Sequence, residues 1–268
     1  MAASPLARIL KSPWPAAWGR KQRSNATMAV AVVAMILVLW LLAHVVALAP
    51  EPIGSAAQDF ANGARVTVEL TIVSGLAGIV LGVLAALGKL SRVPPVRWVA
   101  AFYVWVIRGT PLLIQVFFAY FALPQLLPFV KMDEFGWACV ALSLNVGAYN
   151  AEAIRSGLLA VPKGQLEAAR SLGMNGWFTF LDITLPQAFK IALPPLVNNI
   201  VALLKDSSLA SVIGLVELTN TADLLRAKTY LPIPSLVTSA AIYLLLTTVM
   251  THFSGAVERR FDIEDKLA

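Results

Sequence analysis

The sequence predicts an all-α integral membrane protein with six transmembrane helices, and three observations lead to this prediction. The first is composition: of 268 residues, 58% are hydrophobic and 13% are charged, whereas a soluble domain carries about 25% charged residues. The mean hydropathy is +0.74. The other two observations are the length of the apolar runs and the distribution of the basic residues. Most of the chain is therefore expected to lie in lipid.

Apolar runs of transmembrane length occur along the whole chain. A helix needs roughly 20 apolar residues to cross about 30 Å of hydrocarbon. The runs that meet this requirement are 27–49, 66–88, 97–122, 136–160, 188–215 and 233–253. The third run has an aromatic-rich start, which is typical of an interfacial helix, and Gly109-Thr110-Pro111 can kink it. Each run predicts one membrane-spanning helix.

Lysine and arginine residues indicate how these helices are oriented. The N-terminal tail contains no acid and has its bases at Arg8, Lys11, Arg20, Lys21 and Arg23. Further bases follow the second, fourth and sixth runs, whereas the loops on the opposite side hold only Arg65, Lys131, Arg226 and Lys228. The positive-inside rule therefore predicts that both termini are cytoplasmic. The first run is too long for a cleavable signal peptide.

Several classes of function are disfavoured by the residue content. The sequence has a single cysteine, Cys139, and its two histidines, His44 and His252, stand alone on apolar segments. No disulfide, metal site or catalytic residue set is therefore expected. The net charge of +6 is dispersed around the apolar runs, which favours membrane lipid over nucleic acid as its partner. The only Gly-Lys pair, Gly88-Lys89, is followed by Leu90, so this sequence has no P-loop and no cofactor of its own is expected.

The segment between the fourth and fifth runs interrupts the apolar pattern. Within residues 164–186, Glu167 and Arg170 can pair at i,i+3 spacing. Gly173 stands where a helix ends in a left-handed residue. Asn175 can then cap a second short helix. The pattern predicts two short helices at a bend on the cytoplasmic surface, and an amphipathic loop that only lies on the membrane explains it equally well.

Motifs in this segment and elsewhere resemble a known family. Glu167-Ala168-Ala169, three residues, Gly173, nine residues, Ile183, one residue and Leu185-Pro186 match the EAA loop of permease subunits of ABC importers without a gap. Four further motifs are similar to the polar amino acid branch of that family: Arg108-Gly-Thr-Pro-Leu-Leu-Ile-Gln115, Ala148-Tyr-Asn-Ala-Glu-Ala-Ile-Arg155, Gly164-Gln165 and Leu204-Lys-Asp-Ser-Ser-Leu209. The resemblance covers roughly residues 63–256.

The resemblance implies a type I importer subunit whose EAA loop, 164–186, carries a cytoplasmic coupling helix that docks on a separate ATPase. It implies a five-helix core at 63–256, an added N-terminal helix with its outer loop at 27–62, and cytoplasmic tails at 1–26 and 257–268. Carried over by position, the coupling residues are Glu167, Ala168, Ala169, Arg170, Leu172, Gly173 and Met174. Asn175 departs from the Ser or Thr expected there, although Asn can also cap a helix.

The function implied is ATP-driven uptake of a polar amino acid across the bacterial inner membrane by alternating access. The implied partners are two copies of an ATPase subunit that hold ATP and Mg²⁺, a second permease subunit in a homodimer or heterodimer, and a periplasmic or lipid-anchored binding protein. Cystine-type permeases are the nearest in likeness, followed by the glutamate/aspartate and glutamine branches. The alternatives are an ion-gradient-driven secondary transporter of small polar solutes, for which no inverted repeat is evident, and a membrane-embedded enzyme.

Polar residues within the apolar runs are candidates for a translocation path, because ionisable groups in a membrane usually face a bundle interior or water. Hydrogen bonds and ion pairs between helices are the more usual explanation for any single one of them, whereas the group as a whole indicates a polar path. The backbone near Pro194-Pro195 is expected to break and to free carbonyl groups. The predicted path residues are Arg108, Thr110, Gln115, Asn150, Asn198, Asn199, Lys205 and Asp206.

Overall fold

The structure is a computed structural model that describes residues 18–261, apart from the side chain of Arg20. Every regular element in this range is helical. Of the predicted tail bases, Arg8, Lys11 and Lys266 lie outside the described residues. The same is true of most of the N-terminal tail predicted at 1–26 and of the end of the tail predicted at 257–268.

Nine helices follow one another along the described residues, and a 3₁₀ turn at Gly54–Ala56 leads into the second of them. The bounds are α1 Arg20–Val46, α2 Ala57–Leu90, α3 Pro94–Gly109, α4 Leu112–Leu126, α5 Glu134–Leu159, α6 Lys163–Ser171, α7 Gly176–Ile213, α8 Leu218–Thr229 and α9 Pro232–Arg260. A π-turn interrupts α4 at Phe118–Ala122, and another lies at Thr179–Thr184 near the start of α7. The last part of α7, Ser207–Ile213, is a 3₁₀ helix.

Helices α1, α2, α7 and α9 are long and apolar enough to cross a membrane. The run predicted as one span at 97–122 is instead two helices, α3 and α4, bent by 112°. The helix ends there because Thr110 is extended and Pro111 has no N–H to continue the hydrogen bonding. Helix α5 has 26 residues and is long enough to cross a membrane, but it is less apolar than these four helices. The count of six spanning helices therefore stays a prediction.

Helix α5 lies at the centre and runs parallel to α2, with small residues at the contact. A Cβ at Gly78 would lie 2.2 Å from Val146 Cγ1, and one at Gly82 would lie 2.6 Å from Asn150 Cβ. Helix α7 runs antiparallel to α5, and a Cβ at Gly157 would lie 2.6 Å from the Ala188 carbonyl oxygen. Close approach of backbones through small residues is how helices associate in membranes.

Helix α1 packs along α9 and against α2. At one end the Ser24 hydroxyl donates to the Ala256 carbonyl, and Arg260 Nε donates to Asn25 Oδ1 at 2.9 Å. This end also holds α6 and is called the α6 end; the opposite end holds α8 and is called the α8 end. The predicted boundary at 62/63 falls inside the continuous helix α2, and the functional division into domains stays a prediction.

Candidate functional site

The bend predicted at Gly173 is present at the α6 end. The Met174 N–H donates to the Ala169 carbonyl at 3.1 Å, and the Gly173 N–H donates to the Arg170 carbonyl at 2.9 Å. These two bonds form a Schellman motif, which requires a left-handed residue after the helix. Gly173 supplies it with φ = +78°. The end of α6 is therefore set by local sequence.

The capping role predicted for Asn175 is also present. Its Oδ1 accepts hydrogen bonds from the N–H groups of Trp177 and Phe178, each at 3.0 Å. The chain therefore turns from α6 into the first turn of α7 within four residues. Aromatic side chains are exposed just after this turn, at Trp177 and Phe178. The predicted bend and cap are therefore present, but the second short helix predicted within 164–186 is not separate, because it is the first part of α7, which continues past Pro186 to Ile213.

The predicted coupling residues form one largely exposed surface on α6 and its turn. Leu172 is 83% exposed, and Glu167, Ala168, Arg170 and Gly173 are exposed as well. Ala169 is buried and Met174 is half-buried, and together with Ile183 both line a groove of about 370 Å³. The ion pair predicted between Glu167 and Arg170 is absent from the described residues, so the Glu167 carboxylate points to no basic side chain of its own helix.

A side-chain bridge joins α6 to α7, and sequence reasoning missed it. Gln187 Nε2 donates to Gln165 Oε1 at 2.9 Å and to the Ile183 carbonyl at 3.0 Å. Gln165 belongs to the Gly164-Gln165 motif, whereas nothing local in the sequence marks Gln187. This bridge joins α6 to the start of α7 in addition to the backbone of the turn.

The break between α3 and α4 is held by Gln115. Its Nε2 donates to the Ile107 carbonyl at 2.7 Å and to the Thr110 hydroxyl at 2.9 Å. Its Oε1 accepts from Asn145 Nδ2 on α5 at 2.9 Å. Two predicted path residues, Thr110 and Gln115, are thus brought together, and Asn145 fixes both to the central helix. The amide replaces a partner that the broken helix lost.

Arg108 lies at the end of α3 with its guanidinium 5.3 Å from the centre of the Tyr149 ring. It lines an open cavity of about 370 Å³ together with Lys89 and Glu152. Glu152 accepts from Lys89 and, at 2.8 Å, from Arg155 Nη2. The acid is thus already paired with two bases, whereas Arg108 has no acid partner within the described chain.

Asn150 and Asn199 meet between α5 and α7. Asn199 Nδ2 donates to Asn150 Oδ1 at 2.9 Å, and Asn150 is 0% exposed. The Asn150 Nδ2 has no hydrogen-bond partner among the described residues. The break expected at Pro194-Pro195 is wrong, because the α-helical part of α7 continues from Leu185 to Asp206. The continuous helix still lacks the two N–H donors that proline cannot supply.

The other predicted path residues are not brought into this network. Asn198 and Lys205 are exposed and Asp206 is half-buried. No hydrogen bond or ion pair within residues 18–261 joins Lys205 or Asp206 to the remaining path residues. They lie where α7 changes from α-helix to 3₁₀ helix. The role of all eight path residues stays a prediction.

Glu217 is a second residue that sequence reasoning missed as a site. It is buried at the α8 end, where it caps the N-terminus of α8 and accepts a hydrogen bond from Tyr243 of α9 at 2.7 Å. Burial raises the pKa of the Glu217 carboxyl above its ordinary value, and the N–H groups it accepts from act in the opposite direction. The available signal was an acid flanked by Leu215, Val216 and Leu218.

Comparison with known proteins identifies the family to which this chain belongs. A family model described as binding-protein-dependent transport system inner membrane component matches residues 78–263. The chain belongs to this family. It is similar to the arginine transport system permease protein ArtQ of Bacillus subtilis, with 42% identity over 204 residues, 76% of this chain and 93% of that protein. It is equally similar to the L-cystine transport system permease protein TcyB of the same organism, with 42% identity over 202 residues, 75% of this chain and 86% of that protein.

A solved structure of an amino acid transporter has the same fold as this chain. The structure described as an amino acid ABC transporter with histidines superposes with a TM-score of 0.72 at 38% identity, over 77% of this chain and 95% of that chain. The binding-protein-dependent permease described here is therefore a multi-pass membrane subunit of an ABC importer and a transporter rather than an enzyme. Membership of the family implies an ATPase partner and a second permease subunit.

Proposed function

We propose that this permease moves a polar amino acid across the inner membrane by alternating access, coupled to a separate ATPase through residues 164–186. One observation carries the proposal: the helix–turn–helix at Gly173 exposes Glu167 without an internal ion pair, next to Leu172 at 83% exposure. Trp177 and Phe178 are exposed in the same helix–turn–helix, and a group of exposed apolar side chains, unlike a single one, marks an interaction surface. The sequence has no P-loop, which supports a contact with an ATPase.

The coupling step follows from this surface. Glu167 meets a basic group of the ATPase, Ala168 and Ala169 allow close approach, and Arg170, Leu172 and Met174 fill the contact. Gly173 permits the bend. The complex holds two ATPase copies with bound ATP and Mg²⁺, two permease subunits and a binding protein at the outer face. In this arrangement the α6 end and both termini are cytoplasmic, as the distribution of basic residues favours.

The translocation path follows the polar side chains that contact α5. Thr110 and Gln115 border it at the break between α3 and α4, and Asn150 and Asn199 border it between α5 and α7. The unpaired Nδ2 of Asn150 supports this position, because a buried donor without a partner is costly unless a ligand or a rearrangement satisfies it. If alanine at Arg108, Asn198 and Asn199 in turn left transport intact in a well-expressed complex, their place on the path would be wrong.

The substrate class rests on relatives. The two proteins named above are described as arginine and L-cystine permeases, and the superposed structure as an amino acid transporter. We therefore propose a polar amino acid as substrate. Cystine-type permeases remain the first expectation from the motifs at 95–125, followed by glutamate/aspartate and glutamine.

The deciding experiment is reconstitution of the permease with its ATPase and binding protein in proteoliposomes. Uptake of labelled arginine, cystine, glutamate and glutamine is compared with ATP, with a non-hydrolysable analogue, and with an imposed ion gradient alone. We expect uptake only with ATP, and more ATP hydrolysis with loaded than with empty binding protein, since a ligand shifts a two-state equilibrium by its differential affinity. Uptake driven by the gradient without the ATPase would instead identify a secondary transporter.

A further inference from the structure

The α8 end contains a carboxylate that is shielded from solvent and has no counter-charge. Glu217 is 0% exposed, and no basic side chain within the described residues pairs with it. Acidic side chains are almost never fully buried unless paired. The structure must therefore satisfy this carboxylate by hydrogen bonds alone.

The nearest donors to this carboxylate come from α8 and α9, and Thr67 Oγ1 of α2 lies 3.5 Å from Oε2. Oε1 accepts from the Asn220 N–H at 2.8 Å, and Oε2 accepts from the Thr219 N–H at 2.9 Å. These bonds cap α8 and place a negative charge at the positive end of its dipole. Oε2 also accepts from the Tyr243 hydroxyl of α9 at 2.7 Å. One side chain thus holds the start of α8 and ties it to α9.

The N-terminus of α8 also packs closely against α2. The Leu218 N–H donates to Thr67 Oγ1 at 3.2 Å, and Thr67 Oγ1 donates to the Gly63 carbonyl at 3.0 Å. A Cβ at Gly63 would lie 2.5 Å from Thr221 Oγ1 and 3.1 Å from Leu218 Cα. Only glycine at position 63 allows α8 to approach the α2 backbone this closely.

We propose that Glu217 is a positioning residue that latches α8 onto α2 and α9, so that the three helices move as one rigid body throughout transport. A buried carboxylate that loses one donor keeps its desolvation cost, so partial detachment of α8 is unfavourable. The exposed part of α8 and its end, with Leu224, Lys228 and Tyr230 (87% exposed), thereby has one fixed position. This inference rests on the proposed function, since it makes that surface part of the face that receives the loaded binding protein.

Two alanines of α8 provide a direct test of the latch. Ala222 is 0% exposed in the core shared with α2 and α9, whereas Ala227 is exposed. Because Cys139 is the only cysteine of the sequence, a Cys139→Ser background allows Ala222→Cys and Ala227→Cys to be compared. The reagent is a charged maleimide, and the sample is the complete complex in lipid nanodiscs, nucleotide-free or trapped with ADP and vanadate.

We expect Ala222→Cys to react at least about 100-fold more slowly than Ala227→Cys in both states, because α8 opens rarely. Adding Glu217→Gln should accelerate labelling at position 222 by about tenfold and leave position 227 unchanged. Fast labelling of Ala222→Cys in the vanadate-trapped complex with Glu217 intact would overturn the inference, since α8 would then detach during the cycle. Equal labelling with and without Glu217→Gln would overturn it as well.

A functional measurement needs no added cysteine. In Glu217→Gln we expect the concentration of loaded binding protein that half-saturates ATPase stimulation to rise about tenfold while the maximal stimulated rate is retained. Tyr243→Phe, which removes one donor and keeps the ring, should give a smaller rise in the same direction. A lower maximal rate at unchanged half-saturation would contradict positioning. If the unmutated complex showed no stimulation at all, the proposed function would fail; normal stimulation with no effect of either variant would contradict the latch alone.

Discussion

The helix–turn–helix of residues 164–186 and the junction around Glu217 use the same turn device at opposite ends of the molecule. Each includes or follows a left-handed glycine: Gly173, with φ = +78°, lies within the first, and Gly214, with φ = +87°, lies three residues before Glu217. A Cβ at either glycine would meet nothing within 4 Å. The acids beside these turns have opposite environments. Glu167 is exposed and unpaired in the described chain, whereas Glu217 is fully buried, with three donors at 2.7–2.9 Å and Thr67 Oγ1 at 3.5 Å.

The difference in exposure between Glu167 and Glu217 determines whether each carboxylate needs a partner within the protein. An exposed carboxylate keeps its hydration, so leaving Glu167 without a partner costs the isolated subunit almost nothing. A buried carboxylate must be satisfied inside the protein, as Glu217 is. This contrast supports the two proposals, an external partner for the α6 end and an internal positioning role for Glu217 at the α8 end.

Charge reversal at the α6 end should have the largest effect. Glu167→Lys is expected to lower ATP-driven uptake about 100-fold while the ATPase still hydrolyses ATP, because placing like charges together at an interface costs several kcal/mol. Proteoliposome uptake and ATPase rates measure both quantities. Asp182→Lys is the matched control, since Asp182 is an exposed acid of the same loop outside α6. Normal uptake by Glu167→Lys would exclude the coupling role.

Overpacking at the α8 end should have the next largest effect. Gly63→Ala places a methyl group 2.5 Å from Thr221 Oγ1 and 3.1 Å from the α8 backbone, and such a clash typically costs about 1–3 kcal/mol. We expect the thermal midpoint of the purified subunit to fall by several degrees. Gly176→Ala, where a Cβ meets nothing within 4 Å, should leave the midpoint nearly unchanged. Equal midpoints for both variants would mean that α8 moves away from position 63 without a measurable loss of stability.

A matched pair of turn variants sharpens the comparison further. Alanine in the left-handed conformation costs about 1–2 kcal/mol, and this cost should be similar at Gly173 and Gly214 because both have open space around the Cβ position. We expect Gly173→Ala to reduce uptake severalfold and Gly173→Asn to restore part of it, since Asn tolerates this conformation. Gly214→Ala should affect the thermal midpoint to the same extent but uptake much less. Equal losses of uptake would indicate that both turns serve only stability.

The α6 end could be predicted from the sequence because its interactions are local. The bonds at Gly173 and Asn175 join residues no more than five positions apart, so turn chemistry alone identifies them. The predicted Glu167–Arg170 pair failed because both side chains are exposed, where hydration competes with pairing. Helical spacing shows that two charges can meet and does not show that they do.

The remaining features depend on contacts between distant residues. A kink at Gly109-Thr110-Pro111 was predictable, but the bend of 112° is held in part by Asn145 through Gln115, thirty residues away. The helix through Pro194-Pro195 continues although a break was expected. The burial of Glu217 requires Thr67 and Tyr243, which are 150 and 26 positions away. No local pattern brings those residues together.

The smallest effect we predict is a pH dependence confined to the α8 end. Burial raises the pKa of the Glu217 carboxyl, and Tyr243 is the one titratable side chain hydrogen-bonded to it in the described residues. A carboxyl with a raised pKa in the folded state contributes stability that is fully present below its unfolded pKa and is lost as the pH rises through the folded pKa. Acidification should therefore favour the protein with Glu217 over Glu217→Gln.

The measurement is the difference in thermal midpoint between these two proteins at about pH 7 and at about pH 5. The difference cancels the titration of all other acids, and we expect it to move in favour of Glu217 by at most about 2 °C. A difference that moved in the opposite direction would mean that the hydrogen bonds to the carboxylate outweigh its burial. Glu217 would then resemble an ordinary helix cap, and the contrast between a hydrated acid at one end and a desolvated acid at the other would lose its energetic basis.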